Sequence, residues 1–107
     1  MKWRVALGAL AICGSMMGTA AKAEPYSGEA TLVTAVEIAS ETVIDGVTWR
    51  CEGTRCVGRS NRAKREPQMR ECRKLVVALG PLASFRSRGR PMSDEALAEC
   101  NRLSARD

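Results

Sequence analysis

The side chains best equipped for chemistry in this chain of 107 residues are four cysteines. They fall in the frame Trp49-Arg50-Cys51-Glu52-Gly53-Thr54-Arg55-Cys56, then Cys72, then Cys100-Asn101. Four thiols can form disulfides, exchange them or hold zinc. Structural zinc sites bring their ligands as close pairs, whereas Cys72 and Cys100 stand 28 positions apart. Thiol exchange favours C-x-x-C at a helix start, where the attacking thiol's pKa is lowered, and Cys51 and Cys56 are spaced otherwise. Two structural disulfides are therefore the expected chemistry, with no metal site and no bound cofactor.

A second group is basic: Arg59, Arg62, Lys64, Arg65 and Arg70. Guanidinium and ammonium groups at this density can grip phosphate or carboxylate oxygens, which makes these five residues a candidate anion-binding set for lipid headgroups or lipopolysaccharide. The stretch has no interleaved aromatics, so it lacks the stacking platform of a single-strand nucleic-acid binder. Nucleic acid is not an expected partner. The chain has no histidine, which removes Ser-His-Asp and Cys-His catalysis and mixed Cys/His zinc sites. Glu37, Glu41, Asp45, Glu52, Glu66, Glu71, Asp94, Glu95 and Glu99 are the carboxylates that glycoside chemistry could draw on. No two of them stand out as a pair at the required separation, so solvated surface is their ordinary role.

Disulfides need an oxidising compartment, and the first 23 residues supply a route to one. Lys2 and Arg4 precede an apolar run from Val5 to about Met17, and Ala21-Lys22-Ala23 forms an A-x-A cleavage site, the three parts of a secretory signal. The run is shorter than the roughly 18 residues a membrane span needs, so no transmembrane segment is expected in the mature chain. Cys13 lies inside the signal, and Ile12 stands where a small residue precedes a lipidated cysteine. Cleavage after Ala23 leaves 84 of the 107 residues, enough for one small domain with a thin core that benefits from covalent staples. Without Lys2, Arg4 and Lys22, the balance of 17 basic and 12 acidic residues becomes 14 against 12, or +2. The charges are unevenly spread: Glu24 to Trp49 holds five acids and no base, while Arg50 to Lys74 holds nine bases and three acids.

The elements that must position these groups follow from periodicity. Glu24 to Glu29, with Pro25, Ser27 and Gly28, reads as a flexible tail over residues 24–29 ahead of a single domain over residues 30–104. Thr31 to Ile38 alternates with the period of a strand. Thr42 to Cys51 reads as a hairpin about Asp45-Gly46, a dipeptide that accepts the positive φ of a I′ turn. Val47, Trp49 and Cys51 share the buried face of its second arm, and Thr48 and Arg50 share the other. After Glu52-Gly53-Thr54 the chain turns back, placing Cys51 and Cys56 across a second hairpin within disulfide reach. Gly58 to Arg65 reads as a loop. A helix then starts at Pro67, with Met69, Cys72, Leu75, Val76 and Leu79 on one face, and Gly80-Pro81 stops it. Leu82 to Arg90 reads as an irregular connection. Ser93 caps a second helix whose stripe is Ala96, Leu97, Cys100 and Leu103.

Four cysteines allow three pairings. The hairpin and helix geometry favours Cys51 with Cys56 and Cys72 with Cys100. The expected fold is α+β: a small antiparallel sheet of hairpins, from about Thr31 to Val57, covered on one face by two antiparallel helices and stapled by disulfides.

The cysteine frame, Cys72-Arg73-Lys74-Leu75, Gly80-Pro81-Leu82-Ala83-Ser84-Phe85 and Leu97-Ala98-Glu99-Cys100-Asn101 together resemble a family of small, exported, four-cysteine proteobacterial proteins of unknown function. The resemblance covers about Ala30 to Asn101 and implies a single-domain periplasmic protein. It transfers no catalytic residue, and Arg59 to Arg70 is more basic than that family's usual linker. The functional expectation is a non-enzymatic periplasmic or secreted module that binds or inhibits an envelope partner. A binder of anionic envelope surfaces through residues 59–70 is the alternative, and a small hydrolase is a third reading.

Overall fold

The computed structural model describes residues 25–105. The expected signal segment, Cys13 and the cut after Ala23 lie outside the described residues. Six strands form one antiparallel sheet in the order β2-β3-β4-β1-β5-β6. They are β1 (Ser27–Leu32), β2 (Ser40–Ile44), β3 (Val47–Glu52), β4 (Arg55–Arg59), β5 (Leu82–Ser87) and β6 (Arg90–Pro91). Helices α1 (Gln68–Leu79) and α2 (Asp94–Ala105) complete the α+β fold.

Two hairpins form where the turn chemistry asks for them. Asp45 and Gly46 both have positive φ, 51° and 83°, and this I′ turn sets Ile44 opposite Val47. Gly53 at φ 60° turns β3 into β4 and sets Cys51 opposite Cys56. Their Cα atoms are 4.1 Å apart and a disulfide joins them. Alternation then puts Val47, Trp49 and Cys51 on the buried face of β3 and leaves Arg50 and Glu52 exposed.

Three expectations are corrected. The flexible tail over residues 24–29 is in part a strand: Ser27 to Glu29 open β1, which lies inside the sheet between β4 and β5. The buried series runs Tyr26, Gly28, Ala30, Leu32, and a glycine in the second place carries no hydrophobic signal. The strand expected over Thr31 to Ile38 therefore ends at Leu32. Val33 and Ile38 are exposed, and the segment passes the sheet's end with Val33 N–H donating to Pro81 O and Val36 N–H to Gly53 O. The irregular connection over Leu82 to Arg90 is the β5–β6 hairpin. A register shift between Thr31 and Leu32 leaves Ala83 as an extra residue and breaks the alternation of β5. Its turn is Arg88-Gly89, both at positive φ, a pairing that has the usual glycine but not the Asn, Asp or Gly that normally precedes it.

The core lies between the sheet and the helices. Leu75 and Val76 of α1 and Leu97 and Cys100 of α2 pack on Ala30, Leu32, Trp49, Leu82 and Phe85. The disulfide from Cys72 to Cys100 ties the helices together with its Cα atoms 6.2 Å apart. Pro67 precedes α1, and Gly80 at φ 95° ends it with its N–H donating to Val76 O. Ser93 Oγ accepts the Ala96 N–H and caps α2. Asn101 then docks α2 on β5: its amide accepts the Leu82 N–H at 3.0 Å and donates to Leu82 O at 2.9 Å. The side chain thus pairs with Leu82 as a neighbouring strand would.

Candidate functional site: two faces of one sheet

The helix-covered face holds a polar network at one end of the core. Asp45, at the tip of the β2–β3 turn, accepts Lys64 Nζ at 2.8 Å and Lys74 Nζ at 2.6 Å. Glu66 accepts Lys74 at 3.0 Å. Arg88, at the β5–β6 turn, donates to the carbonyls of Lys64 and Glu66 and to Glu71 Oε1 at 3.3 Å. Three acids and three bases, drawn from two turns, a loop and a helix, balance one another here.

These surroundings shift the groups in opposite directions. The two lysine bonds hold the Asp45 carboxyl well below the usual range, and Asp45 and Glu66 raise Lys74. Burial pushes the Glu71 carboxyl up, with the Ser87 hydroxyl and Arg88 pulling it partly back. Burial also raises the Tyr26 phenol, and the Glu71 charge adds to that. Glu71 Oε2 has no hydrogen-bond partner among the described residues. Tyr26, Trp49, Glu71 and Lys74 line a cavity of about 20 Å³, room for about one water. A buried acid with raised pKa suits general-acid chemistry, but a space of this size admits no substrate, so the network reads as a structural lock.

The opposite face of the sheet is bare. Register aligns Glu41, Arg50, Val57, Glu29, Arg86 and Pro91 in one row across all six strands. Arg50 Nε meets Glu41 at 3.0 Å, and Arg55 reaches Glu29 at 3.9 Å. These pairs are well exposed and contribute little to stability. They present charge on a rigid ladder. Glu41, Arg50, Glu52, Arg55, Val57 and Arg59 line a cleft of about 660 Å³ along it, within the size range of ligand sites.

The five basic residues of the expected anion-binding set do not converge. Lys64 turns inward to Asp45, its side chain only 18% exposed. Arg70 lies on α1 beside Ile44 and Val77, and Arg65 is exposed in the loop. Arg59 and Arg62 do share a cleft, of about 870 Å³, with Ser27, Thr48, Ser60 and Asn61 and with no acid in its lining. All four cysteines are consumed by the two disulfides. Among the described residues, no group of three or more His, Cys, Asp or Glu side chains is placed to hold a metal ion.

The candidate carboxylates scatter likewise. Glu41 and Glu52 lie on the bare face, Glu99 pairs with Arg102 at 2.6 Å, and Asp94 and Glu95 occupy the first turn of α2. Sequence reasoning missed Tyr26, Arg88 and the row of Arg50 and Arg86. Alternation had already put Thr48 and Arg50 opposite Trp49, which was the signal for a charged outer face.

The model of a family of unknown function, DUF8200, matches residues 11–102. No curated protein and no solved structure matches the chain.

Proposed function

We propose that this chain, which belongs to the DUF8200 family of unknown function, is a non-enzymatic binding module of the cell envelope that engages an envelope protein through the bare face of its sheet. The observation that carries the reading is the asymmetry of the sheet. Helices cover one face, while the other presents Arg50, Arg55, Arg59 and Arg86 beside Glu29, Glu41 and Glu52. Arginine is enriched at interfaces, and a surface built on paired strands loses little backbone entropy on binding. The Cys51–Cys56 disulfide braces the turn end of the β3–β4 hairpin from the buried face behind that surface.

The two disulfides fit an extracellular or periplasmic protein. No helix among the described residues is long and apolar enough to cross a membrane. The reading extends this to export with loss of the first 23 residues. The intact mass of protein recovered from exporting cells should equal that of Glu24 to Asp107 less four hydrogens. Four free thiols, or a retained leader, would take the envelope out of the account.

The binding claim is tested by passing envelope extract over immobilised protein, its Arg50→Glu/Arg55→Glu variant, and an Arg102→Glu variant altered on α2. A captured protein that disappears with the first variant and persists with the second supports the reading. Equal capture by all three contradicts it.

The acid-free cleft favours a second reading, in which Arg59 and Arg62 grip phosphate groups of an anionic envelope surface. Sedimentation with phosphatidylglycerol vesicles should then weaken at high salt and vanish in Arg59→Ala/Arg62→Ala. Salt-insensitive sedimentation would sink it.

A further inference from the structure

The two edges of the sheet differ. Strand β6 is two residues long and ends in Pro91, a closed edge by length and by its missing N–H. Strand β2 has five residues, Ser-Glu-Thr-Val-Ile, with no proline and no lysine. The two-residue I′ turn makes Ile44 and Val47 a hydrogen-bonded pair, so Ile44, Thr42 and Ser40 direct their backbone groups to β3. Glu41 and Val43 consequently direct theirs to the open side. Neither residue enters any backbone hydrogen bond outside the β2–β3 ladder among the described residues.

The space beside that edge is shaped and charged. Arg70, Arg73, Lys74 and Val77 form one face of α1 that overhangs Ile44 and encloses a groove of about 400 Å³. Val77 is 68% exposed although it is apolar. No acid lines the groove, and Arg70 has no side-chain hydrogen bond or ion pair among the described residues.

We infer that the open edge of β2 is a strand-addition site for an extended acidic segment of a partner protein, whose alternate side chains enter the groove under α1. The inference rests on the binding-module reading and adds to the bare face a second contact, at the edge of the sheet. Backbone bonds to Glu41 and Val43 supply affinity. The groove supplies specificity: an apolar side chain covers Ile44 and Val77, and a carboxylate meets Arg70. A second copy of this chain fits less well, because pairing two β2 edges about a twofold axis brings the basic faces of two α1 helices together.

The test uses a capped seven-residue peptide with Thr at odd positions and Glu, Val, Glu at the even ones, followed by amide hydrogen exchange. The Glu41 and Val43 amides should exchange rapidly in the free protein and slow at least tenfold with peptide. A peptide with Lys replacing Glu should bind at least tenfold more weakly, as should the protein's Arg70→Glu variant. Val43→Pro removes one outward N–H without touching the β3 ladder, and it should abolish the slowing at Glu41 while the Trp49 near-ultraviolet signal stays native. Unchanged exchange at Glu41 and Val43, or protection that grows with protein concentration alone, overturns the inference. Such a failure leaves the bare-face reading standing on its own extract-capture result with Arg50→Glu/Arg55→Glu.

Discussion

Trp49 lies flat against two strands because the residues beneath it have no side chains. A Cβ at Gly58 would stand 2.5 Å from the indole, and one at Gly28 would meet the Tyr26 hydroxyl at 2.6 Å and the indole at 3.0 Å. Register sets Trp49, Gly58, Gly28 and Ser87 in one inner row, with Tyr26 edge-on to the indole at 6.5 Å between centroids. Gly58→Ala should therefore cost about 3 kcal/mol in chemical denaturation, the upper part of the overpacking range. Wild-type stability in that variant would mean that Trp49 does not occupy this trough. Glu71 gives a second prediction. Burial raises its folded-state pKa above the ordinary 4.5, so its stabilising contribution is present below pH 4.5 and is lost as pH rises through the folded value. Glu71→Gln stays neutral and can still accept from Arg88. It should raise stability at pH 7, with the gain shrinking toward pH 4, as urea titrations at the two pH values would show.

At the scale of elements, legibility followed how directly a residue's type reports its backbone. Asp45-Gly46 and Gly80-Pro81 announce a turn and a helix end, and both stand where expected. Strands β1 and β5 were hidden for opposite reasons: Gly28 blanks a buried position, and the irregularity at Ala83 breaks the alternation. The lock around Asp45 joins the hairpin tip to α1 and to the basic loop, and no local pattern could announce bonds spanning 19 and 29 residues. Asp45→Asn tests it while keeping a favoured turn dipeptide. The folded-state pKa of Asp45 is lowered, so its contribution is present above the ordinary 3.8 and is lost as pH falls below that. The variant should be less stable than wild type at pH 7, and the difference should shrink steadily as pH falls below 3.8. The helix pair has its own test. Replacing Cys72 and Cys100 by Ala opens a link across 28 residues, which should cost about 3 to 4 kcal/mol in thermal or denaturant unfolding. A loss below 1 kcal/mol would mean that core packing alone docks α2.

For the molecule as a whole, the sequence was informative about scaffold and much less so about surface. Cysteine spacing, the tryptophan and the helix stripes described a stapled α+β domain. The charged outer row depends on register between strands up to 57 residues apart, as with Glu29 opposite Arg86, and five basic residues in one stretch looked like one site although they face different ways. Lys64 was the misleading member, since density of charge in sequence says nothing about which side chains turn inward. The molecule that results has one face closed by helices, one bare, one edge closed by Pro91 and one open at β2. On the proposed function, the bare face meets a partner in the envelope. Photo-cross-linking in intact exporting cells addresses this most directly, with a photoreactive residue at Val57 in the centre of the bare face or at Ala98 on the exposed side of α2. A discrete adduct from Val57 and none from Ala98 is the predicted result. An adduct from Ala98 alone, or none from either position in cells that export the protein, would contradict the account.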